Sequence, residues 1–280
     1  MPLTLNPKNR DTIPIEAEAL RPDRLAGKTI TEIKSLKVFH GNREEDLGTC
    51  FDVTGDGSDE HLLLEGDFSR IKHIGQEMVR GRITIDGRVG MHLGAEMRGG
   101  EIEVRGDAGD WVGAEMRGGL IRVSGSAGHL VGGSYRGSAS GMKGGTIIIG
   151  GDAGNEVGCG MRRGVIAVGG KVSDFAGFNM IAGTILVNGG FGIRCGAGMR
   201  RGSIIALGPP KDHPSLLPSF RFDCEYEPQF LSVYLNQLRK WDFPVESRLL
   251  RAKFHRYSGD LVALGKGEVL LHVGHDGEAT

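Results

Sequence analysis

No two cysteines of this chain stand close enough to form a metal-binding or redox motif. The four present, Cys50, Cys159, Cys195 and Cys224, are widely separated and make no Cys-x-x-Cys pair. This excludes the usual structural-zinc spacings. It fits buried, reduced thiols in a cytoplasmic protein rather than a disulfide framework. Aromatic residues are scarce, at 6%, so the core must be built from small aliphatic side chains. No apolar run approaches the roughly 20 residues of a membrane span. The first twenty residues lack the basic start and apolar stretch of a signal peptide. Formal charge is −1, so no bulk field draws nucleic acid or an acidic membrane. Gly-x-Ser-x-Gly and His-Glu-x-x-His are missing, and no Cys/His pair presents itself as a catalytic dyad. Catalysis by this chain alone is therefore not expected, and neither is a metal site.

Glycine is abundant instead: 48 of 280 residues, against a usual share of about 7%. With 39% of residues hydrophobic, the chain is not disordered, so many backbone positions need positive φ or close approach. Methionine sets their register. Met78, Met97, Met116, Met142, Met161, Met180 and Met199 are separated by 19, 19, 26, 19, 19 and 19 residues. With each Met as position zero, position three is always Gly and position five always Ile, from Ile83 to Ile204. Position seven is Ile or Val until Ala206, and position nine is Gly. Apolar β-branched residues two apart read as a short strand with one buried face. A fixed period of this length is a repeat signature.

The expected fold is an all-β solenoid, a right-handed parallel β-helix with 19-residue coils, flanked by small α/β capping segments. Residues 59–210 form the expected repeat region, with Leu62 and Leu64 as a first, half-matching rung. Residues 1–58 are an N-terminal cap or docking segment, and 211–280 a C-terminal helical cap and tail. The 24–39 stretch reads as a short helix leading into a strand. The 228–241 stretch carries Phe230, Leu231, Tyr234, Leu235 and Leu238 at helical spacing and stops before Pro244. Both ends are expected to cover open sheet edges. Gly-x-Gly-x-x-Gly matches arise from glycine density and recur without intervening helices, which argues against a dinucleotide loop.

Charge is patterned too. Position eighteen reads Glu77, Glu96 and Glu115, then turns to Gly or Asn, while position one remains mostly cationic. One reading is a solvated face of Glu–Arg pairs. The sharper one is an anionic-carrier or partner surface at Lys143, Arg162, Arg163, Arg200 and Arg201, where guanidinium groups fork onto carboxylates. The 26-residue step inserts about seven residues at 134–140, and Tyr135 and Arg136 make this a candidate interface loop. His73 and His92 share a column followed by Trp111, which reads as stacked surface rings. His272 and His275 lie in the tail near Asp276.

Repeats such as GDAGDWVGAEMRGGLIRVSG (106–125) and GDAGNEVGCGMRRGVIAVGG (151–170) resemble the GxGxG-rich domain of the C subunit of formylmethanofuran dehydrogenase. A related domain ends the large glutamate synthase subunit. The tail from Arg256 to Leu261, with Leu264 to Glu268, looks like the bacterial branch, a formyltransferase/hydrolase complex of methylotrophic one-carbon metabolism. The resemblance implies a non-catalytic scaffold that binds no cofactor itself. Its expected partners are formyltransferase-like and amidohydrolase-like subunits. The complex would move formyl from a tetrahydromethanopterin-type to a methanofuran-type carrier and release formate, with metal on other subunits. Methanofuran-type carriers bear an anionic glutamyl tail, which suits the cationic column. Three alternatives remain: the C subunit of a tungsten or molybdenum formylmethanofuran dehydrogenase, a glutamate-synthase-like spacer, or a β-helical sugar-acting enzyme. The spacer lacks its amidotransferase and flavin domains here, and the enzyme needs a carboxylate cluster where acids thin out after Glu115.

Overall fold

The computed structural model describes residues 2–8 and 12–274; His275 and Asp276 lie outside the described residues. Seventeen strands occur among them. The N-terminal ones are β1 (Leu3–Pro7), β2 (Ile15–Glu16), β3 (Lys37–His40), β4 (Arg43–Asp46) and β5 (Phe51–Thr54). The repeats supply β6 (His61–Glu65), β7 (Ile71–Lys72), β8 (Arg82–Asp86), β9 (Glu101–Val104), β10 (Leu120–Val123), β11 (Lys143–Ile149), β12 (Arg163–Val168), β13 (Thr184–Val187) and β14 (Arg201–Ala206). The last three are β15 (Arg221–Tyr226), β16 (Phe254–Gly259) and β17 (Lys266–His272). The helices are α1 (Pro22–Leu25), α2 (Ile30–Lys34), α3 (Leu47–Cys50) and α4 (Gln229–Arg239).

Strands β6 and β8–β14 pair parallel and in register, so Ile83, Ile102, Ile121, Ile147, Ile166, Ile185 and Ile204 form one ladder. All seven are fully buried. Leu62 and Leu64 lie beside Ile83 and Ile85, which makes the half-matching stretch a true first rung. The seven methionines are equally buried. The first six thioether tips fill space above the position-three glycine of the next rung, and that of Met199 meets Gly267 of β17. A Cβ at Gly145 would sit 2.8 Å from Met116 Cε and 2.8 Å from the Gly119 carbonyl oxygen, at φ +91. The Met-to-Gly spacing is thus a packing complementarity between neighbouring rungs, not only a turn signal.

The β-helix expectation is corrected. The chain forms one large, mostly parallel 13-stranded sheet in the order β15-β16-β17-β14-β13-β12-β11-β10-β9-β8-β6-β1-β5, with a four-stranded sheet β4-β3-β2-β7 beside it. Only one stretch of four to seven residues in each repeat, between positions one and eight, forms a continuous strand. The second run, Phe68, Val89, Ala108, Ala127, Ala153, Val172 and Phe191, is joined by isolated parallel bridges alone. Left-handed corners break up the rest: position fourteen (His92, Trp111, Leu130, Glu156, Phe175, Arg194) has φ between +59 and +65. Position eighteen is left-handed as well, at Glu77, Glu96, Glu115, Gly160, Asn179 and Gly198. Gly and Asn replace Glu there because they tolerate that backbone best.

The ends are not separate α/β caps either. The N-terminal β1 pairs parallel with β6 and antiparallel with β5, extending the sheet. At the other end β17 adds parallel to β14, followed antiparallel by β16 and β15. Ile15, Leu20, Leu25 and Ile33 share one core with the isoleucine ladder. Helix α2 starts at a capping box, in which Thr29 and Glu32 satisfy each other's backbone amides.

Helix α4 falls within the helical stretch read from the sequence, but it does not cover an open edge. It lies on the outer face of the sheet. Leu231, Leu235 and Leu238 pack with Ile148, Ala167, Leu186 and Ile205 in a second core. Those four occupy position six, the face opposite the isoleucine ladder. In β8–β10 the same position holds Thr84, Glu103 and Arg122, so the helix has apolar surface to bury only over β11–β14.

Candidate functional site

The residues at positions one and two of two late rungs bring four guanidinium groups together. Arg162, Arg163, Arg200 and Arg201 are exposed and line a surface groove of about 530 Å³ with Ile181, Thr184, Tyr234 and Leu264. No ion pair engages any of the four among the described residues. The cationic column is longer than the repeat suggested: in-register pairing sets Lys143 beside Arg163, and Arg201 beside Lys266. Lys266 belongs to no Met-marked repeat, so repeat spacing could not find it. Tyr234 comes from α4, on the flank not buried against the sheet.

A second groove of about 690 Å³ adjoins the first, sharing Ile181, Arg200 and Leu264. Ser134 and Ser138 of the inserted loop, Cys159 and Asn179 also line it. Arginines, insertion and C-terminal turn therefore meet on one surface. The turn between β16 and β17 is anchored by Asp260, which accepts hydrogen bonds from the Gly198 and Val262 amides, both at 3.0 Å. Burial pushes its carboxyl up. Hydrogen bonds from Ser219 and these amides outweigh that and hold it below the usual carboxylate range. Leu261, Val262 and Leu264 of the turn remain exposed.

Lys143 differs from the arginines. Its Nζ meets Glu115 Oε2 at 3.0 Å, so it is neutralised by the rung before it. Burial raises the Glu115 carboxyl, but hydrogen bonds from Ser138, Lys143 and the Tyr135 amide hold it below its ordinary value. The inserted loop is thus fastened at its base, and Arg136 is exposed on it. Tyr135 turns inward. Its hydroxyl lies 2.9 Å from His92 Nδ1, and its ring stacks on Trp111 at 4.9 Å. His73 and His92 stack at 4.5 Å with nearly parallel planes, and Trp111 follows at 6.0 Å. Burial, with nearby His73 and Lys72, lowers the His92 pKa to about 4. The His92 ring is therefore neutral at neutral pH, and the inserted loop covers the stack through Tyr135.

The earlier rungs carry the Glu–Arg lacing. Arg122 meets Glu101 at 2.8 Å and Glu103 at 3.1 Å, Arg82 meets Glu101 at 3.1 Å, and Arg117 meets Glu96 at 3.2 Å. All these pairs run between rungs, not along one.

Known proteins resemble this chain in sequence and in fold. No family model matches the chain. Over 93 residues it is 40% identical to the C subunit of the tungsten-containing formylmethanofuran dehydrogenase 2 of Methanothermobacter wolfeii, covering 32% of this chain and 34% of that one. Over 92 residues it is 46% identical to the C subunit of the molybdenum-containing formylmethanofuran dehydrogenase 1 of Methanothermobacter marburgensis, covering 32% of this chain and 23% of that one. The matched stretch spans about a third or less of these curated relatives. A chain in the X-ray crystal structure of the formyltransferase/hydrolase complex (FhcABCD) from Methylorubrum extorquens, in complex with methylofuran, superposes with a TM-score of 0.88. It is 34% identical, and the match covers 97% of this chain and 100% of that one. The chain belongs to the family of formylmethanofuran dehydrogenase C subunits. No helix among its described residues is long and apolar enough to cross a membrane.

Proposed function

We propose that this chain is the non-catalytic structural subunit of a cytoplasmic formyltransferase/hydrolase complex. Its partners are a formyltransferase-like and an amidohydrolase-like subunit. Together they move formyl from a tetrahydromethanopterin-type carrier to a methanofuran-type carrier and release formate. The observation that carries this is the near-complete match to a chain of the FhcABCD complex. The dehydrogenase subunits match over only about a third of the chain, which favours the hydrolase branch over the tungsten or molybdenum branch. A platform role fits a continuous sheet with a rigid, densely packed core.

In this reading residues 59–210 are the platform, and the flanking segments 1–58 and 211–280 complete its edges and docking faces. The groove at Arg162, Arg163, Arg200 and Arg201 guides the anionic part of the carrier, with Lys143 at its margin. Unpaired guanidinium groups suit carboxylate recognition by paired hydrogen bonds. Arg136 on the inserted loop contacts a partner, and Tyr135 holds that loop in place.

Purification of the tagged chain from its native cell, with mass spectrometry and a formate-release assay, tests the assignment. The expected result is a hetero-oligomer that releases formate from a formylated carrier without tungsten or molybdenum. A lone chain with its own activity, or a complex carrying either metal, overturns it.

A further inference from the structure

We infer that His40, Glu45 and Cys50 form a binding site for a thiophilic divalent metal ion, zinc being the best fit. The site is independent of the proposed assembly and lies in the smaller sheet, built by β3, β4 and α3. Antiparallel pairing sets His40 opposite Arg43 and Val38 opposite Glu45. Alternation along β4 then puts Glu45 on the same face as Arg43, diagonal to His40. Helix α3 follows directly and returns Cys50 to the same carboxylate. Ligand atoms of the three side chains all lie within 4.8 Å of one another.

Two of the three separations are near those of coordinating atoms. Glu45 Oε1 is 3.6 Å from His40 Nδ1, and Glu45 Oε2 is 3.6 Å from Cys50 Sγ. A tetrahedral zinc ion with Zn–S of about 2.3 Å and Zn–O of about 2.1 Å holds sulfur and oxygen about 3.6 Å apart. For nitrogen and oxygen the same geometry gives about 3.4 Å. By contrast, 3.6 Å is too long for a histidine–carboxylate hydrogen bond. In the absence of an ion the Cys50 thiol donates a hydrogen bond to Glu45 Oε2; the metal takes the place of that proton and draws the three donors together with side-chain adjustments.

Charge and burial agree. A thiolate and a carboxylate balance a divalent cation, and the neutral imidazole is the third donor. Cys50 is buried, the His40 side chain is 10% exposed and that of Glu45 29%. The ion would be shielded on the thiolate side and reached by water at a fourth position beside Glu45. The sulfur donor disfavours calcium and magnesium, which prefer all-oxygen shells. Bound there, the ion would clamp the β3–β4 hairpin to α3 and so to β5.

The test is cobalt(II) and zinc titration of the full-length purified chain. Wild type should bind one cobalt per chain with a thiolate-to-metal charge-transfer band and tetrahedral-type visible absorption. Zinc should displace the cobalt and raise Tm. Cys50→Ser should abolish the charge-transfer band. His40→Gln and Glu45→Gln should weaken binding about tenfold or more, with unchanged circular dichroism. Cys159→Ser, at a partly exposed thiol elsewhere, should retain the band. If Cys50→Ser fails to fold, the His40 and Glu45 variants decide. Wild type that takes up no cobalt, a band lost with Cys159 instead, or a His40→Gln chain that binds like wild type would overturn the site.

Discussion

The outer face of the large sheet is polar over β8–β10 and apolar over β11–β14, although the inner face is the same isoleucine ladder throughout. Over β8–β10 it is tied by Arg122, Glu101 and Glu103. Over β11–β14 it is sealed by α4 through Leu231, Leu235 and Leu238. One backbone repeat thus supports two surface chemistries, decided by what stands at position six. The exposed arginines occur on the α4-covered half, beyond the last position-eighteen glutamate at Glu115. Their carboxylate partners disappeared where position eighteen changed to Gly160, Asn179 and Gly198.

Breaking the apolar half should cost most. Leu235→Ala should lower stability by about 2–5 kcal/mol, the range for a truncated buried leucine, measured by urea denaturation. A loss under about 1 kcal/mol would mean α4 is not a structural part of the sheet. Gly145→Ala probes the inner face shared by both halves. The added methyl meets Met116 Cε and the Gly119 carbonyl at a left-handed backbone position, so about 1–3 kcal/mol should be lost. Unchanged stability would show that the rungs shift freely.

The pH dependence sharpens the contrast in the polar half. His92 has its folded pKa lowered from 6.5 to about 4, so between those values the unfolded chain binds more protons. Its contribution is fully present above pH 6.5 and is lost as pH falls towards 4. His92→Phe should flatten that part of a Tm–pH profile while leaving the profile above it parallel to wild type. An identical slope in the variant would refute the assignment.

Arg122→Ala should cost no more than about 1 kcal/mol, and high salt should shrink the difference. A loss matching Leu235→Ala would erase the distinction between the faces. The double variant Arg162→Ala/Arg163→Ala should leave the unfolding midpoint almost unmoved, within about 0.5 kcal/mol, while weakening complex assembly or carrier retention in pull-down. Wild-type assembly and carrier content would remove the arginine groove from the proposed function.

Much of the repeat was legible because its determinants recur at equal spacing. The isoleucine column, the Leu62/Leu64 rung and the extent of α4 all follow from side-chain period. The charge pairing was legible only in part. The sequence pointed to a face of Glu–Arg pairs without saying which residues pair, and the structure joins Arg117 to Glu96 of the rung before it. Lys143 finds Glu115 across the insertion. Tyr135 proved to be a fastener of the loop, because a flat ring stack offered its ring a surface. The position-six column was present in the sequence, and it carried the signal for where α4 would lie.

By itself the sequence determined a stack of equal rungs, since a short β-branched strand between glycines can bury its inner face only against copies of itself. Tertiary structure decided what became of the remaining surface. The open sheet edges took up strands from both termini because unpaired backbone groups at an edge demand partners. The apolar outer face took up α4 because it had to leave water. The same long-range packing joined four arginines, the insertion and the C-terminal turn on one surface. Beside the smaller sheet it brought donor atoms of His40, Glu45 and Cys50 within 4.8 Å of one another, at positions whose spacing along the chain matches no metal motif.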